Sequence, residues 1–346
     1  MPVRETTTDR RTIKRLSRHM TVAGLAKLPA ASKRRMDAEL CSYRVFRKAY
    51  EDDPLAFVHD CFTWNTGERP KPYQDEILSE FAKNHRYAVR GPRGLGKSAL
   101  AAWLTHWYAL TRDGDDWKMP TTAGSWTQLK EFLWPEIHKW ARRIRWDRIG
   151  RAPYREKDEL LEHSLKLSTG RAFGSSPDRP QLAEGAQADR LFYLYDEAKA
   201  ITDAFFNATE GAGLSGEPGQ EEFRLMLSTP GTPIGRFYDV HSRKAGLENW
   251  AVRHVTMTEA IAAGRMSRAK AEERARLWGE ESPEYKNYVE GEFAAQDENS
   301  LIPLAWIELA QDRWRALMRA LEASGQVPRL DAIGVDVAWM GKNLTT

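Results

Sequence analysis

Gly91-Pro92-Arg93-Gly94-Leu95-Gly96-Lys97-Ser98 fits the phosphate-binding pattern G-x-x-x-x-G-K-[ST] without a mismatch. The glycines let a loop turn until successive backbone N–H groups face one anion. The lysine adds a mobile positive charge, and the serine hydroxyl suits Mg²⁺. Further on, the apolar run Leu191-Phe192-Tyr193-Leu194-Tyr195 ends abruptly in Asp196-Glu197. One carboxylate there can hold Mg²⁺, directly or through water, with help from the Ser98 hydroxyl. The other can orient and deprotonate a water that attacks a γ-phosphate. Read alone, the pair is a polar strand end; read with the loop, it points to a nucleotide that is hydrolysed, not merely bound. A third group, Ser228-Thr229-Pro230-Gly231, follows Phe223-Arg224-Leu225-Met226-Leu227. It sets small hydroxyls where they can sense the γ-phosphate, then forces a turn.

Elements must bring these groups together. Tyr87-Ala88-Val89 enters the loop as a strand, and the run from Ser98 to Leu104 leaves it as a helix, whose dipole favours an anion at its N-terminus. The 191–195 run is apolar throughout, as in a parallel strand covered on both faces, and open α/β sheets bind ligands at the carboxyl ends of such strands. The expected fold is α/β: a P-loop NTPase of the ASCE type, with a mostly parallel sheet flanked by helices and a small helical lid subdomain. Pro72-Tyr73-Gln74 opens a helix just ahead of the first strand. From there Gln74 can read an adenine edge, giving and taking one hydrogen bond, or it is simply a surface glutamine.

The remaining pattern is coarser. Trp117-Lys118-Met119 reads as a short strand. Residues 125–145 read as one amphipathic helix, with Trp126, Leu129, Leu133, Ile137, Trp140 and Ile144 as a core stripe. Residues 165–167 and 171–173 read as a hairpin, 174–189 as a loop, 250–257 as a strand, and 267–279 as a helix capped by Ser267 and stopped by Gly279. The expected organisation is a basic, partly helical extension over 1–53, without a complete apolar face; an ATPase core over 54–255; a lid or linker subdomain over 256–330; and a strand just begun over 331–346.

With 346 residues, 41% hydrophobic and 29% charged, the chain is neither disordered nor membrane-spanning in composition. Cys41 and Cys61 have no metal-ligand spacing and suit a reducing compartment. The net charge is +3, yet residues 1–48 hold 13 Lys/Arg against 4 Asp/Glu. That excess reads either as an arm facing nucleic acid or as a solvated helical extension.

Taken in order, PYQDEIL, GPRGLGKS, LFYLYDEAKAI, LMLSTPG with GRFYDV, and YVEGEFAAQDENSLIP leading into IGVDVAW resemble the large terminase subunit of tailed bacteriophages, over roughly residues 54–346. The resemblance implies a phage or prophage protein of the bacterial host's cytoplasm: a motor that couples ATP hydrolysis, with Mg²⁺, to translocation of double-stranded DNA into a procapsid. It implies a small terminase subunit, a portal protein and a homo-oligomeric ring as partners. Carried over residue by residue, it makes Gln74 the adenine contact. Gly91, Gly94, Gly96, Lys97 and Ser98 form the phosphate loop, and Arg93 becomes a cis-acting arginine finger. Asp196 and Glu197 become the Walker B aspartate and catalytic glutamate, and Ser228-Thr229 the coupling motif. Glu184 departs from the family, whose members often carry a basic residue there. Asp336 resembles the first metal-binding carboxylate of the family's RNase H-like nuclease domain. With no further carboxylates of that domain in this sequence, nuclease activity is not expected of it. The competing expectations are a non-catalytic nucleotide- or DNA-binding prophage remnant, or a helicase- or transposition-associated P-loop ATPase.

Overall fold

The computed structural model describes residues 42–211, 220–294 and 304–325. The basic arm up to residue 41, and Asp336 with its strand, lie outside them. Among the described residues there are eight strands: β1 (Arg86–Arg90), β2 (Trp117–Thr122), β3 (Leu160–Leu161), β4 (Ser164–Lys166), β5 (Gly170–Gly174), β6 (Arg190–Asp196), β7 (Glu221–Ser228) and β8 (Ala251–His254). They form one sheet in the order β3-β4-β5-β2-β6-β7-β1-β8. From β5 to β8 every pairing is parallel, and only β3 with β4 and β4 with β5 run antiparallel. The expected α/β fold with a mostly parallel sheet is what the chain adopts.

The order of the strands positions the chemistry. β7 lies between β1, which enters the phosphate loop, and β6, which carries the carboxylates. Arg90 pairs with Ser228, and Asp196 with Leu227, so three strand ends finish at one level. Alternation along these strands splits the core into two layers. Tyr87, Val89, Phe192, Leu194, Phe223 and Leu225 point to one face. There they meet helix α1 (Pro72–Asn84), through Phe81, and helix α2 (Lys97–Arg112), through Trp107 and Tyr108. Ala88, Leu191, Tyr193, Tyr195 and Met226 point to the other face, against Phe205, Phe206 and Phe237. Both faces are covered, which is why the strands read as continuous apolar runs.

Several sequence expectations change. β2 runs on to Thr122, past Pro120, which has no N–H to give to a ladder. Its pairing with β6 skips Met119 and Pro120 and resumes at Thr121 with Leu194, so the proline costs one gap in the ladder, not the strand. The single helix expected over 125–145 is Trp126–Gln128, a π-helical turn Leu129–Leu133, and helix α3 (Trp134–Ala141). Pro135 lacks the donor that a regular α-turn needs at that point, and a π-turn is one way to absorb it. Trp126, before that turn, is 39% exposed and leaves the expected stripe, whereas Leu129, Leu133, Ile137 and Trp140 are buried. The 174–189 loop contains a short helix, Gln181–Glu184. The last strand is shorter than 250–257 because Thr256 already caps the following helix, with Glu259 closing a capping box. Within the extension, 42–50 is helical and does have an apolar face: Tyr43, Phe46 and Tyr50 pack on the core at helical spacing.

Helix Leu304–Ser324 forms part of a second compact unit. Trp314 and Leu317 are exposed on it. Among the described residues, no helix is long and apolar enough to cross a membrane.

Candidate nucleotide site

The phosphate loop folds as its residue types require. Gly94 and Gly96 have φ of 84° and 78°, a left-handed conformation that side-chained residues avoid. Gly91 allows close packing: a Cβ there would lie 2.8 Å from the Val255 carbonyl oxygen. Gly96 caps α2, so the first N–H groups of that helix open onto the loop. The crest is tied down from α1, since Tyr73 Oη and Gln74 Nε2 both donate to the Leu95 carbonyl, at 2.9 and 3.2 Å. Lys97 Nζ folds back and donates to the Pro92 carbonyl at 2.9 Å. Burial lowers its pKa to about 8, against the pull of Glu197 and Asp196. An ammonium held at that cost is poised for an anion.

β6 delivers the two carboxylates differently. Asp196 is buried, and its Oδ1 accepts the Glu197 N–H at 3.1 Å. Burial first, then the Glu197 charge, push the Asp196 carboxyl up to about 7, with Lys97 opposing. Glu197 has φ 45° and ψ 47°, a left-handed conformation unusual for a residue with a side chain. That turn sends its carboxylate into the cavity, where Oε2 accepts the Ser228 hydroxyl at 3.3 Å. Next to it Lys199 Nζ donates to Thr229 Oγ1 at 2.6 Å. The end of β7 is thereby bound to the turn after β6 by these two bonds and by the Lys199 N–H, which donates to Ser228 Oγ at 3.4 Å.

A cavity of about 560 Å³ joins these groups, walled by Arg93, Lys97, Ser98, Glu197 and Thr229 at one end. Gln74, Lys71, Arg69, Trp103 and Trp140 wall it elsewhere. The volume is in the range of small-molecule sites. Gln74 does line it, but its amide is engaged within the chain, with Oε1 accepting the Lys71 N–H at 2.9 Å. An adenine contact would use its second N–H and second lone pair. Of the residues expected from the sequence, Gln74, Arg93, Gly94, Gly96, Lys97, Ser98, Glu197 and Thr229 line this cavity, whereas Gly91, Asp196 and Ser228 do not. Lys199, Arg265 and Tyr288 were not marked by the sequence. Arg265 stands over Gly96, where a Cβ would come within 2.4 Å of its Nη2. No spacing marks Arg265 or Lys199, and Tyr288 lay inside a motif, YVEGEF, that carried no assigned chemistry.

Mg²⁺ can be tested against these residues. Asp196 is a buried carboxyl whose charge is disfavoured, a cost that a divalent cation would relieve. Among the described residues, no three His, Cys, Asp or Glu converge as a metal cage. That suits Mg²⁺ on a nucleotide, which takes one or two protein oxygens and the rest from phosphate and water. The residues fit. In metal-free protein, folded Asp196 keeps a proton that the unfolded chain releases at the ordinary aspartate value of 3.8. The contribution of Asp196 to stability is therefore fully present below that value and is lost as pH rises toward about 7. Asp196→Asn is expected to flatten this slope in denaturant unfolding at pH 5 and pH 8. An unchanged slope would refute the assignment.

No family model matches the chain. Among curated proteins, it is 26% identical over 263 residues to the probable terminase large subunit of Enterobacteria phage P7, covering 71% of this chain and 50% of that protein. The chain thus spans about half the length of the curated relative it matches. Among solved structures, the large terminase of bacteriophage HK97 superposes with a TM-score of 0.52 at 14% identity, covering 70% of this chain and 55% of that one. A large terminase ATPase domain from a Thermus phage gives a TM-score of 0.47 at 20% identity, covering 66% of this chain and 95% of that domain.

Proposed function

We propose, since the chain is a relative of phage large terminase subunits, that it is a Mg²⁺-dependent ATPase whose turnover drives double-stranded DNA translocation during packaging. One observation carries the reading: Arg93–Ser98 of the loop, Glu197 and Thr229 line one cavity, and β7, the strand between β1 and β6, ends in Ser228 just before Thr229. A triphosphate would lie on the loop's N–H groups, with Lys97 leaving its carbonyl partners for the β- and γ-oxygens. Mg²⁺, held by Ser98 and by Asp196 directly or through water, would supply charge neutralisation and geometry for the phosphates. Glu197 holds a water in line with the γ-phosphorus and takes its proton as the new P–O bond forms and the bond to the β-phosphate oxygen breaks. Arg93 donates to the γ-phosphate oxygens as charge develops there. Gln74 contributes at the base.

Loss of the γ-phosphate changes what Glu197 faces. Its bond from Ser228, together with Lys199 to Thr229, carries that change into the end of β7. This is the proposed route from hydrolysis to DNA movement. DNA would be held through its phosphates, so sequence should matter little and salt should weaken binding steeply. A small terminase subunit, a portal protein and a ring of copies of this chain are the partners this reading entails, in the cytoplasm of a bacterial host.

The test is ATP hydrolysis by the full chain with and without double-stranded DNA of unrelated sequences. Stimulation that is indifferent to sequence and declines with salt is expected. Absence of turnover under every condition would favour a non-catalytic nucleotide-binding remnant, and turnover that no DNA alters would overturn its coupling to DNA.

A further inference from the structure

Arg93 is exposed on the phosphate loop, and its guanidinium lies 3.7 Å from the centroid of the Tyr288 ring. Lys97 and Lys199 lie within electrostatic reach of it, so Arg93 is a third cation at one site and is repelled by the other two. Among the described residues, no carboxylate pairs with it. A long cation in that position would swing into solvent unless something held it.

The segment bearing Tyr288 is built to hold it. Lys286–Glu290 is a π-helical turn anchored by buried Tyr285 and Val289. The Arg93 N–H donates to the Tyr288 carbonyl at 3.1 Å. Just beyond, Gly291, with φ 76°, sits against Gly91 and Pro92, where a Cβ would come within 2.6 Å of Pro92 Cδ. Asn287 Oδ1 accepts the Gly231 N–H, and the Ala294 N–H donates to the Gly231 carbonyl at 3.1 Å. One stretch of chain is thus fastened both to the phosphate loop and to the turn after β7.

We infer that Tyr288 is a positioning residue for Arg93, its ring fixing the guanidinium by one face and leaving the in-plane N–H groups free for the γ-phosphate. The stack uses the π face and no donor, so it does not compete with a phosphate for hydrogen bonds. This role rests on the ATPase reading, with Arg93 acting on the γ-phosphate. Its effect falls on the transition state, where charge develops on the γ-oxygens, more than on nucleotide binding.

The experiment measures ATP turnover and KM for the full chain carrying Tyr288→Leu, Tyr288→Phe, Arg93→Ala, and Arg93→Ala with Tyr288→Leu. Tyr288→Leu removes the ring at similar bulk and is expected to lower kcat about tenfold with KM within about twofold. Tyr288→Phe keeps the π face and should retain wild-type turnover. The double variant should be no slower than Arg93→Ala alone. If the two effects multiply, or if Tyr288→Phe is as slow as Tyr288→Leu, Tyr288 does not act through Arg93 and the inference falls alone. Unchanged turnover in Arg93→Ala would overturn the role of Arg93 itself, and this inference with it. Should Tyr288→Leu unfold, Tyr288→Met is the ring-free variant: turnover lowered about tenfold supports the inference, and wild-type turnover overturns it.

Discussion

Glu197→Gln is expected to lower ATP turnover by about a hundredfold or more while ATP affinity stays within a few fold. The amide keeps the shape of the side chain, and its oxygen still accepts the Ser228 hydroxyl found at 3.3 Å. What it loses is the ability to take a proton from water. The backbone argues for the same role. Glu197 sits at φ 45°, a conformation that costs about 1–3 kcal/mol for a residue with a side chain. A plain strand end would relax that strain. Here the turn after β6 aims one carboxylate into the cavity while its neighbour Asp196 stays buried. Phosphate release and nucleotide binding, measured on the same preparations, separate turnover from affinity. Turnover near wild type in Glu197→Gln would remove Glu197 from the mechanism.

Arg224→Ala is expected to cost about 3 kcal/mol of folding stability or more. Arg224 is 1% exposed in the middle of β7, an unusual place for a cation. Its Nε donates to Glu222 at 2.6 Å, Nη2 to the Thr209 carbonyl at 2.9 Å and Nη1 to the Tyr195 hydroxyl at 3.1 Å, and the Tyr193 ring lies 4.7 Å away. Truncation leaves the Thr209 carbonyl and the Tyr195 hydroxyl without this donor and opens a void in the layer that supports β6. Glu222 keeps Arg86 at 2.9 Å, which limits the loss. Arg224→Lys should recover only part of it, because an ammonium cannot serve three partners along a planar fork. Denaturant unfolding reads both variants, and a loss below about 1 kcal/mol for Arg224→Ala would show that the network is not a structural anchor.

The same residue shows what a sequence yields and what it withholds. The run 223–227 reads as a strand despite Arg224, because β-forming neighbours outweigh one charge. Its partners cannot be read, since Thr209 and Tyr195 belong to other elements. The phosphate loop was readable because its function demands glycine at fixed positions, and Asp196-Glu197 because a long apolar run, as a doubly covered strand requires, stops abruptly at two adjacent carboxylates. That β7 inserts between β1 and β6, bringing Ser228 to Glu197, depends on pairing between distant segments, which leaves no local periodicity. Pro120 concealed the length of β2 for the opposite reason: a local rule was broken, and the ladder accommodated the break with one gap. Lys199 and Tyr288 escaped notice because a lone lysine or tyrosine acquires meaning only from what lies across from it.

Whether the loop and the carboxylates form one hydrolytic site is decided by Mg²⁺-dependent ATP hydrolysis in wild type and Lys97→Ala, with double-stranded DNA present. Lys97 is the loop's own cation, lowered to about 8 by burial and facing Glu197 and Asp196. DNA-stimulated turnover is expected in the wild type, with loss of both turnover and tight ATP binding in Lys97→Ala. Equal turnover in the two proteins would contradict a single hydrolytic site.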